Sequence, residues 1–162
     1  MKSGNLNQLI SPVKHNTMEL FSIPVQLRWS DMDPNFHLRH SVYYDWGAMC
    51  RVQFLEKFGL TSSVMQKLQF GPIIFREECV FRREIHMNDA VSINLELVSG
   101  KRDYSRWTIR HTIMKDAETV SAILTIDGAW LDTAKRKLAM APSEAVHVFS
   151  NMPVNENFQW ID

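Results

Sequence analysis

Two acidic residues and two histidines lie within ten residues of one another in this chain, at Asp31, Asp33, His37 and His40. A carboxylate can attack a carbonyl carbon as a nucleophile or take a proton from water, and an imidazole can carry protons at neutral pH. These residue types at this spacing indicate acyl-transfer chemistry. The alternative interpretation is structural, with Asp31 capping a turn, Asp33 capping a helix and both histidines at the surface.

The elements on either side would position this segment. Alternating apolar and polar residues over 21–30 predict a strand with one buried face, and Pro24 favours a sheet edge because proline has no N–H to donate. A helix is predicted over 41–58, ending near Gly59. The unpaired N–H groups of its first turn, at the positive end of the helix dipole, would form a site for a developing oxyanion.

The predicted helix is apolar on nearly all sides, which is typical of a buried helix, and Gly47 inside it predicts a close approach of another part of the chain. Short polar connections at 87–89, 100–103 and 115–118 are typical of antiparallel hairpins. His111 lies on the apolar face of a strand, which favours a hydrogen-bonded core histidine. Four further strands are predicted, at 73–85, 91–97, 106–113 and 121–131.

The order of strand, helix and four strands predicts an α+β fold, in which a curved antiparallel sheet of about five strands wraps around one long buried helix. Residues 1–17 are polar and without periodicity, so we expect a mobile segment before a single domain over 18–162. A tail after Pro142 has only a weak helical signal.

Composition narrows the classes of function. The 18 basic and 18 acidic residues balance, which argues against a general nucleic-acid binder. Cys50 and Cys79 lie far apart without metal-ligand spacing, and the chain has no signal peptide or membrane span, so we expect reduced thiols in a soluble cytoplasmic protein. The acids and histidines could also be interpreted as a metal cluster, but they lack a tight ligand pattern and no metal is expected.

The segment from Arg28 to Tyr43 carries a recognisable motif. Its form is R-aromatic-x-D-x-D-x-x-x-H followed by a helix that opens with x-x-Y. The segment resembles the N-terminal signature of hot-dog-fold acyl-CoA thioesterases of the 4-hydroxybenzoyl-CoA thioesterase type. With the order of elements the resemblance covers residues 18–133, and residues 81–89 are weakly similar to the family's hairpin between its second and third strands. The motif is matched at Arg28, Trp29, Asp31, Asp33, His37 and Tyr43.

This resemblance implies hydrolysis of an acyl-CoA to a carboxylic acid and free coenzyme A, with Asp33 as nucleophile or general base. The backbone N–H of residue 40 would polarise the thioester carbonyl. The His40 side chain could take part as well, because a branch of the family carries H-x-x-Y there, and His37 is expected to orient the loop. Coenzyme A enters only as part of the substrate, with no separate cofactor. Sites formed between two subunits imply a homodimer or homotetramer.

Several residues are candidates for substrate binding. Tyr43 and Trp46, near the helix start, are expected to line an acyl pocket. Two basic pairs are candidates for binding the phosphates of coenzyme A, although charged residues at strand ends are also ordinary surface. These pairs are Arg82 with Arg83, and Lys101 with Arg102.

The chain departs from the family pattern at two places. Phe36 stands where glycine is common, which predicts a reshaped turn or a more closed pocket, and Arg39-His40 replaces a pair of asparagines. Two other functions therefore stay open: a module that binds acyl-CoA or an acyl carrier protein without turnover, and a hydroxyacyl-thioester dehydratase. Acyl chain length, and preference for aromatic or aliphatic groups, are left open too.

Overall fold

The computed structural model describes residues 20–162, so the interpretation of residues 1–17 lies outside the described residues. The elements, in chain order, are β1 (Phe21–Val25), a 3-10 turn (Trp29–Asp31), α1 (His40–Lys57), α2 (Ser62–Lys67), β2 (Phe70–Phe81), β3 (Val91–Gly100), β4 (Arg106–Lys115), β5 (Thr119–Asp132), β6 (Lys137–Ala139), α3 (Ser143–Ser150) and β7 (Val154–Trp160).

One sheet holds all the strands. Its main path runs β1-β3-β4-β5-β2 with every neighbouring pair antiparallel, and α1 packs against it, which confirms the predicted α+β hot-dog fold. Two strands were not predicted: β6 pairs with the end of β5, and β7 pairs in parallel with β3. Their sequences explain this, because β6 has only three residues and β7 is mostly exposed and polar.

Among residues 20–162 the first strand lies at a sheet edge, as Pro24 predicted, since β1 pairs only with β3 there. It ends at Val25, however, and the predicted extension to residue 30 is wrong. Arg28 and Asp31 bond reciprocally across the 3-10 turn, which takes the backbone out of the extended conformation. Trp29 consequently lies at the surface, with 85% of its area exposed, and not on a buried strand face.

The expected hairpin between β2 and β3 is also wrong. β2 pairs with β5 at the far edge of the sheet, so residues 82–90 cross over to β3, and the similarity of residues 81–89 to a hairpin fails for the same reason. Residues 86–89 close a local turn, in which the Asp89 carboxylate accepts from the His86 N–H at 2.7 Å, and such a turn resembles a hairpin in composition. The β3–β4 and β4–β5 hairpins are confirmed.

The helix α1 lies close to the sheet at Gly47. A Cβ at this position would come nearer to the Leu124 side chain than van der Waals contact permits, which confirms the predicted close approach. The helix is not buried on all sides, however. Ala48, Met49 and Val52 form an apolar face of α1 that is exposed within the described residues.

A buried polar network joins α1 to the sheet. His111 is fully buried, as predicted for a core histidine, and its Nδ1 lies 2.7 Å from the Asn94 carbonyl oxygen. Nδ1–H therefore donates to this carbonyl, and Nε2 accepts from Arg51 Nη1 at 3.2 Å. The same Arg51 atom donates to Glu77 at 3.1 Å. Burial, reinforced by the Arg51 charge, lowers the pKa of His111 to about 3, so the ring is neutral at physiological pH.

The thiols of Cys50 and Cys79 are both free. Among the helices of residues 20–162, none combines the length and the apolar character needed to cross a membrane.

Candidate active site

The loop that carries the predicted catalytic residues is anchored at both ends. The Asp33 N–H donates to the His37 carbonyl at 2.9 Å, and Met32 and Leu38 form a single bridge across the loop. The Leu38 N–H donates to the carbonyl of Ile85 at 2.8 Å, in the segment that crosses from β2 to β3. These bonds hold the loop against the start of α1.

Asp31 has a structural role in the turn before the loop. It is 1% exposed, and its two carboxylate oxygens accept from the backbone N–H, Nε and Nη2 of Arg28 at 3.0, 3.1 and 3.0 Å. Burial raises the pKa of this carboxyl, but the hydrogen bonds and charge of Arg28 outweigh burial and hold it below its usual range. Asp31 thus stabilises the turn before the loop, in keeping with its structural interpretation.

Asp33 is differently placed. Its Oδ1 accepts from the backbone N–H groups of Asn35 and His37 at 2.8 and 3.4 Å, and its Oδ2 lies 3.3 Å from His37 Nδ1. The side chain keeps 24% of its area exposed. One oxygen is therefore fixed by the loop backbone, while the other contacts the His37 ring and stays reachable from solvent.

Phe36 occupies the place where the resemblance leads one to expect glycine. Its φ of 67° lies in the left-handed region that glycine adopts without strain, so the turn keeps a glycine-like backbone. The side chain is 81% exposed and does not line the cavity beside Asp33. Within the described chain the ring projects into solvent, so Phe36 does not produce the expected more closed pocket. The expectation of a reshaped turn stays a prediction.

The N-terminus of α1 lies beside this loop. Its capping residue, Arg39, makes no side-chain capping bond. The Val42 N–H donates to the Arg39 carbonyl at 3.1 Å, whereas the N–H groups of His40 and Ser41 have no acceptor among residues 20–162. Two donors at the positive end of the helix dipole are thus available for an oxyanion.

Asp33, His37 and His40 line one open cavity of about 360 Å³, called here the Asp33 cavity. Its volume falls in the range of small-molecule sites. Six residues proposed from the sequence line it, three of them proposed for catalysis and three for substrate binding. The lining is Asp33, His37, Leu38, His40, Tyr43, Phe81, Arg82, Arg83 and Glu84.

Tyr43 and Phe81 form the apolar wall of the Asp33 cavity. Their rings pack edge to face with centroids 5.0 Å apart. Burial raises the pKa of Tyr43 to about 12, and the negative charges of neighbours that include Asp33 and Glu84 act in the same direction. The hydroxyl therefore stays protonated at neutral pH and can serve only as a neutral hydrogen-bonding group.

Trp46 is not brought to the Asp33 cavity. It is buried behind Tyr43, with ring centroids 6.1 Å apart.

Lys101 and Arg102 are also not brought to the Asp33 cavity. They follow the far end of β3, a ten-residue strand about 30 Å long that starts near the cavity and runs away from it. Arg102 instead stacks on the Trp160 ring, 5.5 Å from its centroid.

Sequence reasoning missed three cavity residues: Leu38, Phe81 and Glu84. The last two reach the cavity because β2 ends beside α1 and the chain then crosses over to β3. No local periodicity reports such a crossover, and residues 81–89 had suggested only a hairpin. A shallower depression adjoins the cavity, lined by Arg82, Arg83, Glu84, His86, Lys115 and Thr119.

The geometry offers no support for the alternative of a metal cluster at this segment. Asp31 is occupied by Arg28, and within the described part of the chain no three His, Cys, Asp or Glu side chains are grouped so that they could hold a metal ion.

The sequence matches the thioesterase-like superfamily over residues 27–149, and the chain belongs to that family. The matched range contains every residue that lines the Asp33 cavity. None of the curated proteins matches this sequence.

Solved structures with the same fold include three that are informative. The hypothetical protein SAV2348 from Staphylococcus aureus in complex with CoA is 18% identical, with a TM-score of 0.75 over 85% of this chain and 89% of that one. Slr0204, a 1,4-dihydroxy-2-naphthoyl-CoA thioesterase from Synechocystis, is 14% identical, with a TM-score of 0.72 over 82% and 96%. A thioesterase from Thermus thermophilus, complexed with coenzyme A and Zn, is 19% identical, with a TM-score of 0.67 over 83% and 93%.

Proposed function

We propose that this protein is an acyl-CoA thioesterase, which hydrolyses an acyl-CoA to a carboxylic acid and free coenzyme A. The observation that carries the proposal is the meeting, in one cavity, of Asp33 with His40, the first residue of α1, whose N–H has no acceptor among residues 20–162. Membership of the thioesterase-like superfamily supports it. So does the coenzyme A bound in the structures of SAV2348 and the Thermus thermophilus thioesterase.

The chemistry assigns a role to each group. The thioester carbonyl oxygen accepts from the backbone N–H of His40. Asp33 Oδ2 takes a proton from a water molecule, whose oxygen adds to the carbonyl carbon, and the N–H groups stabilise the resulting oxyanion. The carbon–sulfur bond then breaks, and the coenzyme A thiolate takes up the proton that Asp33 had accepted, which restores the carboxylate. In the alternative route Asp33 itself attacks, and water hydrolyses the acyl anhydride that forms.

Neighbouring residues would hold the substrate and the acid. The ring of His37, 3.3 Å from Asp33 Oδ2, orients the carboxylate. His40 lines the Asp33 cavity without a hydrogen-bond partner among the described residues, so its side chain is free to contact the thioester. Arg82 and Arg83 would bind the phosphates of coenzyme A, since guanidinium groups bind phosphates through paired hydrogen bonds.

The signature at Arg28–Tyr43 supports placing the chain with the 4-hydroxybenzoyl-CoA thioesterase type inside the superfamily. The signature bears on how the catalytic groups are arranged and does not indicate which acyl group the protein hydrolyses.

We also propose that the working form is a homodimer or a homotetramer. β2 is an edge strand that carries exposed apolar side chains, including Phe75 and Val80 at 52% and 48% exposure. Phe81 on the same strand is 51% exposed and lines the Asp33 cavity, so a second copy along this edge would cover the cavity. Size-exclusion chromatography with light scattering measures the oligomeric state. A monomer at the concentrations used in the activity assay would contradict this proposal.

The experiment that tests the function is thiol release from a panel of short, long and aromatic acyl-CoAs. Asp33→Asn keeps the shape of the side chain and removes its charge, so kcat should fall by about a hundredfold to ten-thousandfold. Asp45→Asn is the matched control, since Asp45 is exposed on α1 and lies outside the Asp33 cavity. Full activity in Asp33→Asn would refute the assigned mechanism.

The same panel separates the two other functions. Binding of acyl-CoA without any thiol release would identify a binding module. Formation of an enoyl thioester from a hydroxyacyl-CoA, again without thiol release, would identify a dehydratase.

A further inference from the structure

A second cavity, called here the α3 cavity, lies between α1, the sheet and α3. Its volume is about 180 Å³. Apolar cavities of about 150 Å³ hold a molecule of the size of benzene, so this one has room for a comparable apolar group. Its lining is almost wholly apolar and consists of Ala48, Arg51, Val52, Phe54, Leu55, Pro72, Ile74, Leu95, Trp107, Ile109, Trp130, Phe149 and Met152.

The single charged residue of the α3 cavity is already neutralised. Arg51 donates to Glu77 at 3.1 Å and to His111 at 3.2 Å, so its charge has a carboxylate partner within the protein. A second anion there would repel Glu77. The α3 cavity is therefore suited to an uncharged apolar group.

One side of α1 carries residues of both cavities. His40, Tyr44, Ala48 and Val52 follow one another at intervals of four residues, and such residues lie on the same side of a helix. His40 lines the Asp33 cavity, and Ala48 and Val52 line the α3 cavity, with Tyr44 between them. The helix rises about 12 Å from His40 to Ala48. A group that occupied both cavities would have to be long and thin.

We infer that the α3 cavity binds the distal end of a linear aliphatic acyl chain whose thioester lies at the N-terminus of α1. This inference rests on the proposed function and names the substrate class. A single aromatic ring at the thioester cannot span the distance between the cavities, whereas a medium or long alkyl chain can. Each methylene that enters an apolar cavity should improve kcat/KM by about fourfold.

The C-terminal helix gives the α3 cavity its far wall. Phe149 on α3 packs against the rings of Trp107 and Trp130, at centroid distances of 5.5 and 5.2 Å, and Met152 follows directly after α3. Rigid aromatic walls limit the length of chain that fits. The acyl preference should therefore rise with chain length and then stop rising.

The first test compares two phenylalanine substitutions on α1. Ala48→Phe places a large side chain in the α3 cavity from an exposed helix position, whereas Gln53→Phe adds the same group at an exposed position that lines neither cavity. The readout is the ratio of kcat/KM for dodecanoyl-CoA to that for butanoyl-CoA. This ratio should fall at least tenfold in Ala48→Phe and stay at its wild-type value in Gln53→Phe. An unchanged ratio in Ala48→Phe, or an equal fall in both variants, would overturn the inference.

The second test measures binding without turnover. Dodecanoyl-CoA with bromine on its last carbon is titrated into the Asp33→Asn variant, because bromine quenches tryptophan fluorescence on contact and Trp107 and Trp130 line the α3 cavity. The brominated ligand should quench tryptophan fluorescence more strongly than unbrominated dodecanoyl-CoA does. This extra quenching should disappear when Ala48→Phe is combined with Asp33→Asn, and it should persist when Gln53→Phe is combined with Asp33→Asn.

The two proposals can fail separately. Bromine-dependent quenching without hydrolysis by the wild-type protein would support the α3 cavity and refute the thioesterase. Hydrolysis of butanoyl- and dodecanoyl-CoA at equal kcat/KM, without bromine-dependent quenching, would support the thioesterase and overturn the α3 cavity.

Discussion

Replacing Gly128 by alanine should destabilise the fold through a single contact. Gly128 is buried in β5 and pairs directly with Trp107 on β4, whose six-membered ring lies over it. A Cβ at Gly128 would stand 2.6 Å from Trp107 Cζ3 and closer still to Cζ2 and Cη2. Because the indole ring is rigid, it must move as a whole.

The size of the effect follows from this geometry. Carbon atoms pack best at about 3.5–4.0 Å, so the ring would have to retreat by roughly 1.5 Å to clear its nearest atom, Cη2. Overpacking of this kind costs about 1–3 kcal/mol, and alanine recovers about 0.5–1 kcal/mol because it is less flexible than glycine in a strand. Because three atoms of a rigid buried ring are displaced, the overpacking cost should lie at the upper end of this range. The net loss should then be about 2 kcal/mol of unfolding free energy, or roughly 4–8 °C in Tm for a chain of this length.

The matched control is Gly71→Ala in β2. There the nearest atom to a new Cβ, Thr133 Cγ2, is 3.9 Å away, which is ordinary contact. This variant should be unchanged or more stable by about 0.4–1 kcal/mol. Urea unfolding followed by tryptophan fluorescence measures both. A Gly128→Ala protein as stable as the wild type, or an equal loss in Gly71→Ala, would refute the reasoning.

Two further predictions concern buried polar groups. The pKa of His111 is lowered to about 3 in the folded protein, so the unfolded chain binds more protons below its own pKa of about 6.5. The stability that this histidine contributes is complete above that pH and is lost on acidification at up to about 1.4 kcal/mol per pH unit. Urea unfolding at neutral pH and near pH 5 should therefore show a smaller drop in unfolding free energy for His111→Gln than for the wild type. An equal drop in both proteins would contradict the assignment. Ser121 is fully buried, and its hydroxyl has no hydrogen-bond partner among residues 20–162. Ser121→Ala should therefore leave the unfolding free energy unchanged or raise it by about 1 kcal/mol. A loss of about 1 kcal/mol in the same assay would contradict this prediction, because it would mean that the hydroxyl makes a stabilising hydrogen bond.

Local signals explain what could be predicted from the sequence. The helix predicted over 41–58 is observed at His40–Lys57, because its apolar run begins just after the polar loop and stops at Gly59. The strands β3 and β4 follow from period-two alternation, and β5 follows from a run rich in strand-forming residues. Asp33, His37 and His40 meet in one cavity because they occupy a single short loop and the first turn of a helix.

The features that could not be predicted depend on contacts between distant parts of the chain. Whether Lys101 lies near the site or at the other end of the sheet is decided by the direction of β3, and the position of Phe81 is decided by the crossover after β2. The α3 cavity combines residues as distant as Ala48 and Met152. Periodicity within a segment reports which face is buried but does not report which segments meet.

The hydrogen bond between Leu38 and Ile85 has a consequence for substrate selection under the proposed function. It ties the loop of Asp33 to the crossover segment, and Arg82 and Arg83 at the start of that segment donate their N–H groups to the Ser121 carbonyl on β5 at 2.8 and 3.0 Å. The backbone at Asp33, Arg82 and Arg83 thus belongs to one hydrogen-bonded frame. Under the proposed function, this frame sets where the two arginine side chains start relative to the carboxylate. Thioesters whose arm between the scissile bond and the phosphates differs in length from that of coenzyme A should therefore be hydrolysed more slowly.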